Sequence, residues 1–249
     1  MKRNNRIYII KIKRKVILAV SIIVLFIFSV IFLNRIKAID IFCFRNQTDR
    51  TIVIDPGHGG IDGGTNDKDG FLEKKVNLDI GLKLKKELEK EGFNVIMTRE
   101  KDISLEEFSD INASRHRKDL DARKSIINQA KPIVFVSIHV NSNISSKEAR
   151  GVQIYYHPTS EDSKIFAETI SYSINEHVYN NFLKTDSLKV KVLSEDFFVL
   201  RESSHTGVLI EAGFMTNPID KLLLESEEYQ GKIAFAIKEG LKKYIEDNV

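Results

Sequence analysis

From residue 51 onward, short apolar, β-branched runs alternate with longer stretches in which apolar positions recur every three or four residues. The runs at 51–55, 93–98, 133–138, 151–156, 197–200 and 208–210 are apolar almost throughout. That is the pattern of strands covered on both faces. Between them, 72–91 sets Val76, Ile80, Leu84 and Leu88 four apart with Lys and Glu on the other side, and Gly92 closes the stretch. A second helical stretch, 120–130, ends ahead of Pro132, and 163–179 and 229–245 complete the set. The alternation predicts an α/β fold: one domain with a mostly parallel central sheet flanked by helices on both faces. Residues 100–119 (EKDISLEEFSDINASRHRKD) are polar and weakly periodic. They read as a long excursion between a strand and a helix, an idle surface insertion in preference to a groove wall.

Ahead of this region the pattern changes. Residues 16–33 (VILAVSIIVLFIFSVIFL) are 18 positions without a charge, a glycine or a proline. As a helix they would extend roughly 27 Å, enough for a bilayer core. A buried globular helix would carry a polar face, and only Ser21 and Ser29 are polar here. Residues 1–15 hold seven Lys/Arg and no acid, which predicts a cytoplasmic N-terminus and an extracytoplasmic remainder. Asn34-Arg35-Ile36-Lys37 offers no small-residue cleavage site, and Cys43 follows Ile41-Phe42 rather than a lipidation box, so an uncleaved transmembrane anchor is expected. The expected organisation is a basic tail at 1–15, the anchor at 16–33, a linker at 34–50 and a catalytic domain at 51–249.

Charge sharpens this division. Of 38 Lys+Arg in the chain, nine lie in the first 37 residues, which contain no acid. The remainder therefore sets 29 basic residues against 35 acidic ones, a net of −6, which disfavours nucleic acid as a partner. A single cysteine excludes an internal disulfide.

Ligands of open α/β sheets bind beyond the carboxyl ends of the strands, so ionisable residues there are the candidates for chemistry. His58 follows the first strand by three residues within IVIDPGHGGIDGGT, His139 directly follows VFVSI, and Glu211 directly follows VLI. Glu73 lies near the start of the helix that the glycine loop feeds. A phosphate-binding reading of the loop fails: there is no Gly-Lys-Ser/Thr, Asp62 stands where the dinucleotide fingerprint needs a small residue, and Asp55, Asp62, Asp67 and Asp69 would repel phosphate. A catalytic zinc commonly takes two histidines and one carboxylate and leaves a position open. His58, Glu73 and His139 supply that set, with Glu211 left over to carry a proton from water to a leaving amine. Placement alone leaves open that Glu73 is only a helix N-terminal carboxylate and Glu211 a satisfied rim residue. His116, His177 and His205 read as solvated, as does His157, with groove lining its weaker alternative.

At these residues the chain resembles the zinc-dependent N-acetylmuramoyl-L-alanine amidases of the amidase-3 type. The likeness covers 51–246 and is carried by IVIDPGHGGIDGGT, the glutamate of GFLEKKVNLDIGLKL, FVSIHVNS, and VLIEAGFMTNP followed by YQGKIAFAIKEGL. The resemblance implies one zinc held by His58, Glu73 and His139, with Glu211 as the catalytic carboxylate. It implies hydrolysis of the amide between N-acetylmuramic acid and L-alanine of the peptidoglycan stem. The short anchor on one domain, and the stretch SRHRKDLDARKSIINQA, look most like the sporulation (CwlD-type) amidases that serve muramic-lactam formation in spore cortex. The chain departs from the family at Thr206-Gly207, where a proline commonly precedes the strand, which suggests a loosened approach to Glu211. The alternatives are an inactive wall-binding scaffold, or another zinc hydrolase of peptidoglycan acting as a carboxypeptidase or deacetylase. The expected partners are peptidoglycan, the membrane through the anchor, and an extracytoplasmic protein; Ile39, Ile41, Phe42 and Phe44 could serve such a protein, with membrane-proximal packing their preferred reading.

Overall fold

The computed structural model describes residues 50–249. The basic tail, the apolar span at 16–33 and the linker up to residue 49 lie outside the described residues. Among the described residues, no helix is long and apolar enough to cross a membrane.

Six strands form one sheet: β1 (Thr51–Pro56), β2 (Asn94–Met97), β3 (Val134–Asn141), β4 (Gln153–Tyr156), β5 (Lys191–Ser194) and β6 (Gly207–Phe214), in the spatial order β2-β1-β3-β6-β4-β5. Every neighbouring pair is parallel except β4 against β6. The α/β, mostly parallel expectation therefore holds, and β1, β3 and β6 lie side by side with their carboxyl ends on one rim.

The central strands alternate between two cores, as the two-residue period of a strand requires. Ile52 and Ile54 of β1, Val134, Val136 and Ile138 of β3, and Val208, Ile210 and Ala212 of β6 face a large core. It is completed by α1 (Glu73–Lys90), α3 (Glu161–Ile174) and α6 (Glu227–Asn248). Val53, Phe135 and Leu209 face a smaller core closed by Ile127 of α2 (Arg115–Ala130) and by Val199 and Leu200 of α4 (Phe198–Glu202). Helices therefore cover both faces. Side-chain caps set several of their starts: Ser114, Ser160 and Ser226 accept from backbone N–H groups of α2, α3 and α6.

One expected strand is corrected, and three further elements depart from the pattern read above. The run at 197–200 is a helix rather than a strand, because four apolar residues fit either period and Val199 and Leu200 reach the smaller core from one helical turn. The outer strand β5 escapes the pattern because it is an edge whose residues are mostly exposed and need no apolar alternation. The short helix α5 (Pro218–Leu224) follows Asn217, whose side chain accepts from Ile219 N and Asp220 N. The 163–179 stretch is α3 followed by a π-helical turn at Asn175–Asn180.

Gly207 does not loosen β6. It pairs with Phe135 in the sheet, an added Cβ would overlap the Phe135 ring, and its N–H donates to Ser163 Oγ at 3.1 Å. The approach to Glu211 is a fully paired strand.

Candidate metal centre and active-site groove

The glycine loop that leaves β1 is pinned from below by two buried arginines. Arg99, just past β2, donates from Nε to Pro56 O at 2.9 Å and from Nη2 to Gly57 O at 2.9 Å and Lys74 O at 2.8 Å. Arg123, on the buried stripe of α2, donates from Nη1 to Pro56 O at 2.8 Å and from Nη2 to His58 O at 2.7 Å. It also pairs with Asp55 at 2.7 Å and Asp119 at 2.6 Å. These guanidiniums satisfy carbonyls that a tight, glycine-rich loop cannot satisfy for itself. The loop carries His58 at φ 61, in the left-handed region that a non-glycine residue rarely adopts.

The same rim receives the other candidates. His139 lies near the end of β3, one position before the register with β6 shifts, and its direct partner across the ladder is Glu211. Glu73 opens α1 and is 3% exposed. Its Oε1 lies 3.2 Å from His58 Nε2 and 3.1 Å from His139 Nδ1, and accepts from Val140 N at 3.1 Å. Thr65 N donates to Oε2 at 2.7 Å, and Asn77 Nδ2 reaches Oε1 at 3.3 Å. One potential ligand atom from each of His58, Glu73 and His139 lies within 4.8 Å of the others.

Electrostatics match the crowding. Burial opposes ionisation of Glu73, but His139 and His58 outweigh it and hold the carboxyl well below the usual range. Burial likewise opposes a charged His58, yet Glu73 and Asp62 raise it to about 9. The donor set, two imidazoles and a carboxylate converging on one point, fits a zinc ion, and the surrounding glycines leave it room. A Cβ on Gly57 would overlap the His139 imidazole, and one at Gly64 would lie 2.6 Å from Glu73 Oε2. Gly57→Ala is accordingly expected to keep the fold and lose bound divalent metal, read from metal content alongside circular dichroism.

Glu211 stands apart from this trio. Its Oε2 is buried with no hydrogen-bond partner. Burial pushes its pKa up to about 7, with His139 opposing, Glu73 adding and His58 opposing again. A carboxyl poised near neutrality can accept and release a proton in turn.

All four residues line a groove of about 730 Å³. Ser104, Glu106, Arg115, His116 and Asp119 line it too, so the 100–119 excursion is a groove wall and not an idle insertion, and His116 belongs to the site. His157 instead bonds Thr159 and approaches Asp196, and His177 stacks edge-on against Phe235. A smaller adjoining chamber of about 210 Å³ is walled by Phe197, Phe198, Val199 and Leu209 and shares His58, His139 and Glu211 with the groove. Sequence reasoning also passed over Arg123, although its place on an otherwise apolar stripe with Ala122 and Ile127 was a visible signal of a buried, paired charge.

Comparison with known proteins gives a consistent outcome. A family model described as N-acetylmuramoyl-L-alanine amidase matches residues 52–243. A germination-specific N-acetylmuramoyl-L-alanine amidase of Bacillus subtilis is 32% identical over 197 residues, covering 79% of this chain and 80% of that protein. Among solved structures, the CwlD amidase of Clostridioides difficile, determined in complex with the GerS lipoprotein, is 38% identical with a TM-score of 0.71 over 80% of this chain and 100% of that one. A second N-acetylmuramoyl-L-alanine amidase, from Clostridium difficile 630, is 32% identical with a TM-score of 0.68, covering 80% of this chain and 98% of that chain.

Proposed function

This chain belongs to the N-acetylmuramoyl-L-alanine amidase family, and from that premise we propose that it is a zinc-dependent member of the CwlD type, acting in spore-cortex muramic-lactam formation. As an amidase of this family it hydrolyses the bond between N-acetylmuramic acid and the L-alanine of the peptidoglycan stem. The observation that carries the zinc reading is the convergence of His58, Glu73 and His139 within 4.8 Å in the groove that also holds Glu211.

In this reading His58, Glu73 and His139 hold the ion. Zinc, when bound, supplies Lewis acidity toward the scissile carbonyl and toward water. Glu211 does the proton work: its free Oε2 takes a proton from the water that attacks the carbonyl carbon. It returns that proton to the L-alanine nitrogen as the C–N bond breaks, leaving a lactyl carboxyl and a free amine. Val140 N, Thr65 N and Asn77 hold Glu73 in one orientation throughout. The groove, with its wall at Ser104, Glu106 and Arg115, seats the substrate strand across the rim.

The catalytic domain acts outside the cytoplasm, where the wall is, and we extend the proposal to tethering by the span at 16–33 and to an extracytoplasmic partner protein. A relative solved with a lipoprotein bound supports the partner. Purified full-length protein incubated with sacculi is expected to release stem peptides with new L-alanine amino termini, to stop when zinc is chelated, and to resume when zinc is returned. Freed acetate or C-terminal D-alanine in place of that product would reassign the reaction, and no release with zinc present would make the chain a scaffold.

A further inference from the structure

We propose that Asp62 is the positioning residue of the metal centre: its carboxylate fixes the His58 imidazole so that Nε2, and not Nδ1, is presented to the ion. This rests on the zinc reading above. His58 Nδ1 lies 2.8 Å from Asp62 Oδ2, while Nε2 on the opposite side of the ring lies 3.2 Å from Glu73 Oε1. The ring is thus held between two carboxylates, and only the one at Nε2 belongs to the converging ligand set. A carboxylate behind a ligating imidazole fixes its tautomer and orientation and raises its basicity.

Asp62 is itself immobilised. Its other oxygen, Oδ1, accepts from Gly64 N at 3.0 Å. Its backbone closes a two-way bridge with Gly59, N–H to carbonyl at 3.1 and 2.9 Å. The carboxylate therefore acts from a fixed point and does not swing with the ring it holds. His58 sits on the left-handed backbone of a glycine loop and, unlike His139, is not carried by a strand. Arg123 grips the His58 carbonyl from below, and Asp62 grips the imidazole from the solvent side.

The two imidazoles differ in this respect. His139 turns Nδ1 toward Glu73, and among the described residues no carboxylate lies within ion-pairing distance of its Nε2. His139 is oriented by its strand and by the close approach of Gly57. His58 sits in a loop and depends on a side chain. Asp62 is thus a loop residue whose loss is expected to weaken the ion without disturbing the sheet.

The test uses full-length protein, with zinc affinity measured by competition against a chromophoric chelator. Asp62→Ala is expected to weaken zinc binding by about 10- to 100-fold. Asp62→Asn is expected to fall between, since an amide oxygen still accepts from Nδ1–H but carries no charge. The melting temperature of the metal-free protein is expected to match wild type in the Asn variant, a result that separates positioning from a merely structural role. Excess zinc is expected to restore turnover. Wild type that binds zinc, with both variants binding it equally well, would overturn the role of Asp62 and leave the zinc reading intact. Wild type that takes up no zinc would overturn both.

Discussion

Glu211→Gln is expected to abolish nearly all release of L-alanine-terminated peptides from sacculi, by about 10²–10⁴-fold as for loss of a general acid–base, while leaving bound zinc unchanged. The substitution keeps the shape of the side chain and removes only its capacity to take a proton. Glu211 is not part of the converging His58–Glu73–His139 trio, so metal content is the internal control. Its Oε2 makes no hydrogen bond, so the amide replaces no existing contact. A variant that retains wild-type turnover would remove Glu211 from the mechanism. One that also lost its metal would show that the residue supports the ligand set.

Arg123→Met carries the second large effect, and it falls on the fold. The guanidinium is 2% exposed and binds Asp55, Asp119 and the carbonyls of Pro56 and His58. Breaking a buried pair by removing one partner leaves the other charge stranded, at a cost of about 3–5 kcal/mol. For a domain of this size that is a fall in melting temperature of about 10 °C. The pH dependence should invert as well. In the wild type, burial would raise the Asp55 carboxyl, but Arg123 outweighs it, with Thr98 and Ser137 assisting, and holds it below its ordinary value of 3.8. Asp55 thus contributes stability that is present above that value and lost as pH falls through the lower, folded one. Without Arg123, burial prevails and the folded value rises above the unfolded one, so the variant loses stability as pH rises from the unfolded value toward the folded one. Thermal melts of wild type and variant at pH 4 and pH 7 check this: the gap is expected to be wider at pH 7.

The parts of the molecule legible in the sequence are those where one physical demand acts alone. β1, β3 and β6 are covered on both faces, so nearly every residue must be apolar, and the runs stand out. The first helix needs a single stripe, and Val76, Ile80, Leu84 and Leu88 mark it. The four residues that converge in the groove were legible because each lies after a strand, at the carboxyl end of a strand or at the start of a helix, on the rim where parallel strands end. Residues 197–200 suit a strand on sequence yet enter a helix, because an apolar run of four carries no period. β5 was missed because an edge strand bears little apolar demand. The groove wall at 100–119 was undervalued because its lining residues, Ser104, Glu106, Arg115, His116 and Asp119, are the polar types that also cover idle surfaces. Asp62 reads in the sequence as an argument against phosphate and nothing more, since its partnership with His58 depends on a left-handed turn that spacing does not disclose.

The two guanidiniums beneath the glycine loop make its shape a property of the whole domain. Four carbonyls on and beside that turn are held by Arg99 and Arg123. The shape of the turn is therefore tied to the packing of β2 and α2 against the sheet. Small zinc modules fold only as they load. Here the turn is braced by side chains of the folded domain itself, and the candidate ligands are offered from a frame whose carbonyls are already engaged.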